Sequence, residues 1–148
     1  MTQDVSGFGS YITLTASNTF PTGIEISNFA GDTDPYDAES VEIAGQQMGL
    51  NGDLIVWAQA RGLPLRIAVI PGSQADQNLQ ILADANRVGP GKPSAGDVIQ
   101  VALQYPDGSA TQWYNGRLLT APFGKSAAGS GQLKTRVYGL IFESKSGA

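Results

Sequence analysis

Short alternating apolar segments, separated by glycine and proline turn signals, restrict the possible fold of this sequence more than any other feature. Tyr11–Thr15 and Ile24–Ile26 flank Pro21-Thr22-Gly23, which predicts a hairpin. Asn51-Gly52 and Asp107-Gly108 tolerate the positive φ angles of tight turns, so each pair predicts another hairpin. With 19 glycines and 8 prolines among 148 residues, we expect a mainly β chain.

One amphipathic helix is predicted among the strands, from Ser73 to about Asn86. Ser73 can cap its first turn, and Asp76, three residues further on, favours the helix N-terminus. Gly89-Pro90-Gly91-Lys92-Pro93 cannot continue a helix and therefore predicts its end. The other predicted strands are Val41–Ala44, Leu54–Ala58, Leu65–Ile70, Val98–Tyr105, Thr111–Leu119 and Leu133–Glu143.

Together these elements give about eight strands, with the helix after the fifth. The pattern is typical of a β-sandwich or small barrel of two antiparallel sheets with one flanking α-helix. The length of 148 residues fits a single domain, residues 1–148. Residues 30–40 and 124–131 lack periodicity and are expected to form an exposed loop and a flexible loop, and residues 144–148 a polar tail.

The chain contains neither cysteine nor histidine. Without them, disulfides, thiolate ligands, Ser-His and Cys-His nucleophiles and nearly all zinc sites are excluded. Carboxylates, Lys, Tyr and Ser remain for catalysis, but the sequence singles out no catalytic pair among them, and we expect a non-enzymatic chain without cofactor or metal. No apolar run approaches the roughly 20 residues of a membrane span, and Met1-Thr2-Gln3-Asp4 does not resemble a signal peptide, so we expect the chain to stay in the cytoplasm of the cell that makes it.

Charge is distributed unevenly along the chain. Residues 1–60 hold eight acids and no Lys or Arg, whereas residues 61–148 hold nine bases and five acids, which gives −8 and +4 within a total of −4. Copies polarised in this way can associate head to tail, with an acidic patch against a basic patch. Interleaving of strands from the two parts would instead mix the charges, and the sequence leaves both arrangements open.

Three local patterns suggest ligand chemistry, but each has a simpler interpretation. Gly89-Pro90-Gly91-Lys92 resembles a phosphate loop, yet it follows a helix and has Asn86 where the first glycine belongs. The acids between residues 32 and 39 resemble a calcium site but lack its glycine and distal glutamate, which favours a solvated or partner-binding loop. The bases of the second part are singly spaced in an acidic chain, which disfavours sequence-specific DNA binding.

Aromatic residues on the predicted strands offer a function of another class. They can line the cleft of a carbohydrate-binding or glycan-cleaving β-sandwich, although such residues are more often core or cross-strand partners. In that alternative, Trp57 and Trp113 would carry the binding. The aromatic residues concerned are Trp57, Trp113, Tyr11, Tyr105, Tyr114 and Tyr138.

Five stretches, taken in order, resemble a known family over nearly the whole chain. They are Ser6–Leu14, Phe20–Gly23, Met48–Leu54, Asn78–Arg87 and Tyr105–Ser109. They look like the tail tube proteins of contractile-tailed bacteriophages, which are related to type VI secretion tube proteins. That family has no short catalytic motif, so the resemblance rests on the overall pattern.

The resemblance implies a structural subunit of a phage tail tube. Six copies would form a ring with an inner β-barrel, and rings would stack into a hollow tube that conducts DNA during ejection inside a contractile sheath. Partners would be further copies, the sheath protein, and baseplate and tail terminator proteins, in the tail of a virion assembled in the host cytoplasm. A tube initiator at the baseplate or a terminator is the alternative within the same tail.

The resemblance also suggests which surfaces make contacts. Loop 30–40 is expected to reach the adjacent ring, where its acids would need basic counterparts. Glu25 and Glu42, on predicted strands, are expected to face the lumen and repel DNA. The expected inter-ring residues are Asp32, Asp34, Asp37, Glu39, Lys125, Lys134 and Arg136.

Overall fold

A computed structural model describes residues 10–27, 29, 35–127, 129 and 131–147. These residues form ten strands and one helix. In chain order the elements are β1 Tyr11–Ala16, β2 Phe20–Ile26, β3 Tyr36–Asp37, β4 Ala44–Met48, β5 Leu54–Ala58, β6 Leu63–Val69, α1 Gln74–Asn86, β7 Ile99–Gln104, β8 Ala110–Thr120, β9 Arg136–Phe142 and β10 Ser144–Gly147.

Eight of the strands form one antiparallel sheet. Its order is β2-β1-β7-β8-β9-β6-β3, and β10 pairs with the first part of β8. Phe29, just after β2, bridges to Val69 at the end of β6, so the two ends of the sheet approach each other. β4 and β5 pair only with each other in a second sheet. The predicted class, a mainly β fold of two antiparallel sheets with one flanking helix, is confirmed.

β8 joins the two parts of the large sheet. It pairs with β10 up to Tyr114 and with β7 up to Gly116, and from Arg117 it pairs with β9. Where the partners change, Asn115 has a φ of 54°, in the left-handed region. Gly116 lies so close to Phe142 that a Cβ atom there would overlap the ring. The bend that curves the sheet therefore depends on these two residues.

The hydrophobic core lies between the inner face of the curved sheet and α1. Alternate residues of β1 and β9 are buried, and Leu79 and Leu82 on the apolar side of α1 pack into the same cluster. Each fully buried leucine contributes about 1.5–3 kcal/mol. The predicted N-cap is confirmed, because the Ser73 hydroxyl accepts a hydrogen bond from the Asp76 N–H. No helix in the described ranges is long and apolar enough to span a membrane.

The three predicted hairpins are confirmed, but the first turns at residues 17–19 and not at Pro21-Thr22-Gly23, which lies inside β2. Three strand predictions were wrong. Tyr36–Asp37 was placed in loop 30–40 but pairs with β6, and Ser144–Gly147 was expected to be a tail but pairs with β8. The segment Val41–Ala44 reaches strand geometry only at Ala44. Pairing of β3 and β10 uses backbone groups of strands that would otherwise be open edges, so it needs no apolar side chains.

Candidate assembly surface

β4, β5 and their turn form a ribbon, residues 44–58, that pairs with no strand of the large sheet. Every residue of β5 is exposed, so both faces of this strand meet solvent. Its side chains include Leu54, Ile55 and Val56, and Trp57 is 47% exposed. Because an isolated two-stranded hairpin is at best marginally stable in water, and contiguous exposed apolar surface marks interaction sites, the ribbon is the strongest candidate for a binding surface.

The local sequence explains why the ribbon forms. Gly45 pairs with Trp57 and lies beneath its ring, where any Cβ atom would overlap the indole. In the turn, the Gly49 N–H donates to the Asp53 carbonyl at 2.7 Å, and Gly52 has a φ of 85° that glycine adopts without strain. Leu50 at the tip is fully exposed. The ribbon is therefore an ordered hairpin that presents apolar side chains to solvent.

A groove of about 350 Å³ lies next to the base of the ribbon. Ile43, one residue before β4, is part of its wall, as are residues of β6 and β8. Its apolar lining consists of Ala38, Val41, Ile43, Leu63, Pro64, Tyr105 and Trp113. The groove is thus a second apolar surface, separate from the ribbon side chains.

The outer face of β2, β1, β7 and the first part of β8 is polar and almost uncharged. Thr13 pairs with Glu25 on one side and Ala102 on the other, and Ala102 pairs with Gln112. Glu25 is exposed and is the one charged residue that strand alternation places on this face within the four strands. A wide surface with one carboxylate per copy suits a face that meets a polyanion without binding it tightly.

A buried polar network joins α1 to β9. The guanidinium of Arg136 lies 3.0 Å from a carboxylate oxygen of Asp76, and the Tyr138 hydroxyl donates to the other oxygen at 2.9 Å. The Gly72 N–H also donates to Asp76 at 2.9 Å. Burial and the hydrogen bond to Asp76 raise the pKa of Tyr138 above its ordinary value. Because Asp76 is buried and bonded to both α1-flanking and β9 groups, the network holds the helix on the sheet.

Arg136 does not lie where the sequence analysis placed it. It was expected to be a surface counterpart for the acidic loop, but it is 6% exposed and bonded to Asp76, so it is not available to a neighbouring ring. Alternation along β9 explains the difference, because Arg136, Tyr138 and Leu140 all point inward. Counting inward positions back from Leu140 would have found it.

The other predicted site residues that the structure describes are half-buried or exposed. Glu39 forms an ion pair with Arg66 at 2.5 Å, a partner that the sequence analysis missed. Asp37 lies in β3, while Asp32 and Asp34 fall outside the described residues. The remaining predicted residues, all exposed, are Lys125, Lys134, Glu25 and Glu42.

The two tryptophans of the carbohydrate alternative do not share a cleft. Trp113 is 3% exposed and packs 6.2 Å from Phe142, centroid to centroid, whereas Trp57 lies on the ribbon. The glycine-rich segment after α1 is closed on itself, since the Gly89 and Lys92 N–H groups donate to each other's carbonyls. In the described part of the chain, no group of three or more acidic residues is placed to hold a metal ion.

The fold is a curved antiparallel sheet closed over one helix, with an apolar ribbon left uncovered. Solved structures share this fold. The chain is 13% identical to a component of the cryo-EM structure of the anti-feeding prophage baseplate, covering 100% of this chain and 97% of that chain, with a TM-score of 0.59. It is 10% identical to a component of the anti-feeding prophage tube-terminating cap, covering 100% and 93%, with a TM-score of 0.57.

A component of the sheath/tube terminator of an extracellular contractile injection system, PVC, is also similar. It has 10% identity, coverage of 100% and 99%, and a TM-score of 0.57. At such identities these likenesses show the fold alone.

The family model described as tail fiber protein gp32 matches residues 3–146, and the chain therefore belongs to that family. A search among curated proteins found no similar sequence. The resemblance to contractile-tail proteins inferred from the sequence is confirmed, and a structural role in a tail is supported.

Proposed function

We propose that this chain is a ring-forming subunit of a contractile tail, in which six copies form a ring and stacked rings enclose a lumen for DNA inside a sheath. The observation that carries the proposal is the ribbon, whose apolar side chains are exposed on both faces of β5. Burying this surface between copies gains roughly 25 cal/mol per Å² of apolar area. Further copies of the same chain are the partners in most soluble oligomers, so the ribbon would be buried against an identical chain.

The outer face supports the assignment of the lumen. It carries Glu25 as its charged group, so a ring of copies would present a sparse circle of carboxylates to passing DNA. Glu42, exposed just before β4, is the other proposed lumen acid. Asp37 and Glu39, with Lys125 and Lys134, stay as the proposed inter-ring residues.

A position at one end of the tube is the second candidate. The anti-feeding prophage baseplate component has a TM-score of 0.59, and the PVC terminator component has 0.57. The component of the PVC sheath-tube complex has a lower TM-score of 0.52, over 93% of this chain. An end component would form one ring per tail, whereas a tube subunit would form many. Quantitative mass spectrometry of purified particles would separate the two roles.

The experiment that tests the proposal is negative-stain microscopy with analytical ultracentrifugation of the purified chain. We expect rings or tubes for the wild type and loss of assembly for Ile55→Asp, because a carboxylate on the ribbon cannot be buried between copies without a large desolvation cost. Val88→Asp is the matched control, since Val88 is also exposed and apolar but lies after α1. A wild-type chain that stays monomeric at high concentration would contradict the proposal.

A further inference from the structure

We propose, resting on the proposed function, that the ribbon tip of one copy inserts into the groove of the next copy, with Leu50 in the groove and Asp53 beside Lys145. The partner is a second copy of this chain. The groove and the ribbon are both apolar, and both are left open by the described residues of a single chain. The contact would give each copy one donor surface and one acceptor surface.

The ribbon tip has the properties of an inserted segment. Leu50 is fully exposed, so it makes no contact within its own chain that docking would have to break. Asp53 is the one charged residue between residues 44 and 58. It forms no ion pair with any described residue. The tip therefore carries an apolar side chain and an unpaired carboxylate close together.

The groove offers the complementary chemistry. Two charged residues lie in its wall, Glu39 and Lys145. Glu39 is already engaged by Arg66 at 2.5 Å. Lys145 forms no ion pair in the described part of the chain, and its ammonium donates only a long 3.4 Å bond to the Gly147 carbonyl. The groove is therefore apolar with one uncompensated cation, which matches the tip in both respects.

The length of β4 excludes insertion of the ribbon tip into the groove of its own chain. Ile43 lies in the groove wall, and the five residues of β4 separate it from the turn. At about 3.3 Å per residue, the tip is roughly 16 Å away from the groove beside its own base. Donor and acceptor surfaces thus differ, so the contact is head-to-tail, and repeated contacts of this kind close into a ring or extend as a filament.

Cross-linking of engineered thiols tests the contact directly, because the natural chain has no cysteine. Asp53→Cys and Lys145→Cys chains would be prepared separately, mixed under assembling conditions and treated with a short bis-maleimide. We expect a covalent dimer in the mixture and little in either variant alone. Asp53→Cys mixed with Lys92→Cys is the matched control, since Lys92 is also exposed but lies after α1 and outside the groove.

A charge exchange gives a second, independent measurement. Asp53→Lys and Lys145→Asp should each raise the concentration needed for assembly about tenfold, and the double variant should recover most of the loss. If rings form but the cross-link is absent and the double variant does not recover assembly, the contact is overturned and the proposed function stands. Absence of any self-association would overturn both, whereas the cross-link without rings or tubes would support the contact and contradict the proposed function.

Discussion

Asp97 lies between α1 and β7 and accepts hydrogen bonds from two other segments. Its carboxylate accepts from the Asn18 N–H at 2.7 Å, from the Thr19 N–H at 2.9 Å and hydroxyl at 2.5 Å, and from the Asn86 amide at 2.8 Å. The side chain is almost completely buried. It therefore fixes the β1–β2 turn against the end of the helix.

We predict that Asp97→Asn lowers the free energy of unfolding by about 1–3 kcal/mol at neutral pH, because an amide cannot accept all these bonds. Burial alone would raise the pKa of Asp97, but the hydrogen bonds from Thr19, Asn86 and the Asn18 N–H outweigh burial and lower it. With a folded-state pKa below the unfolded value of 3.8, the stabilisation is present above that pH and is lost as pH falls through the folded pKa.

Urea unfolding at pH 7 and pH 3 measures this difference. The wild type should lose more stability than Asp97→Asn on acidification. Glu143→Gln is the control, because Glu143 is exposed after β9 and its replacement should leave the loss on acidification unchanged. Equal losses for the wild type and Asp97→Asn would contradict the role given to Asp97.

Arg136 is the residue whose position differs most from its sequence interpretation, and its burial gives the second prediction. Arg136→Met should lower the free energy of unfolding by about 3–5 kcal/mol, because it leaves the Asp76 carboxylate buried without its cation. The double variant Arg136→Met with Asp76→Leu should recover part of that loss. Thermal unfolding followed by circular dichroism would check it, and strictly additive losses would show that the two residues do not act as a pair.

At the level of elements, turn residues and caps made most of the fold predictable. Asn51-Gly52 identified the β4–β5 hairpin because this pair tolerates the backbone angles of a tight turn. Ser73 identified the start of α1 because its hydroxyl accepts a hydrogen bond from a first-turn N–H. The sequence could not predict β10, since Ser144–Gly147 has no apolar residue and pairs through its backbone alone. Sequence patterns reveal strands through their side chains, whereas β10 forms because its backbone pairs with the open edge of β8.

Burial of the tryptophans was equally beyond local sequence. Both Trp57 and Trp113 lie in strands that follow a turn, with apolar or aromatic neighbours. Trp113 is buried because β8 lies inside the large sheet over the core, while Trp57 is half exposed because the ribbon has no second layer. The difference that creates the candidate assembly surface is therefore a property of the sheet topology, not of residue type.

Gly116 carries the prediction at this scale. Gly116→Ala should destabilise the chain by about 1–3 kcal/mol, because the new methyl group would overlap the Phe142 ring and approach the Ile141 carbonyl at 2.9 Å. Gly129→Ala, which meets nothing within 4 Å, is the control and should change stability little. Urea unfolding would measure both, and similar values for the two variants would show that β8 adapts at its bend.

Across the whole molecule, the uneven charge of the sequence becomes a spatial arrangement. The sheet order places β2 and β1 at one end and β3 at the other, with β7, β8, β9 and β6 between them. Strands from the acidic first part of the chain therefore lie at the ends of the sheet and in the ribbon, around strands from the basic second part. Neither complete separation nor complete mixing of the charges describes the fold.

The outer face gives the last prediction, which is that Glu25→Lys slows DNA ejection while rings and tubes still form. Glu25 is exposed and unpaired among described residues, so the substitution removes no intrachain ion pair. A lysine there would attract phosphates by about 1 kcal/mol per contact in water, repeated in every copy, and added salt should weaken the effect. Fluorescence measurement of ejection kinetics would test it, with Glu143→Lys, exposed after β9, as control. Unchanged kinetics for both Glu25→Lys and Glu42→Lys would contradict the proposed lumen residues.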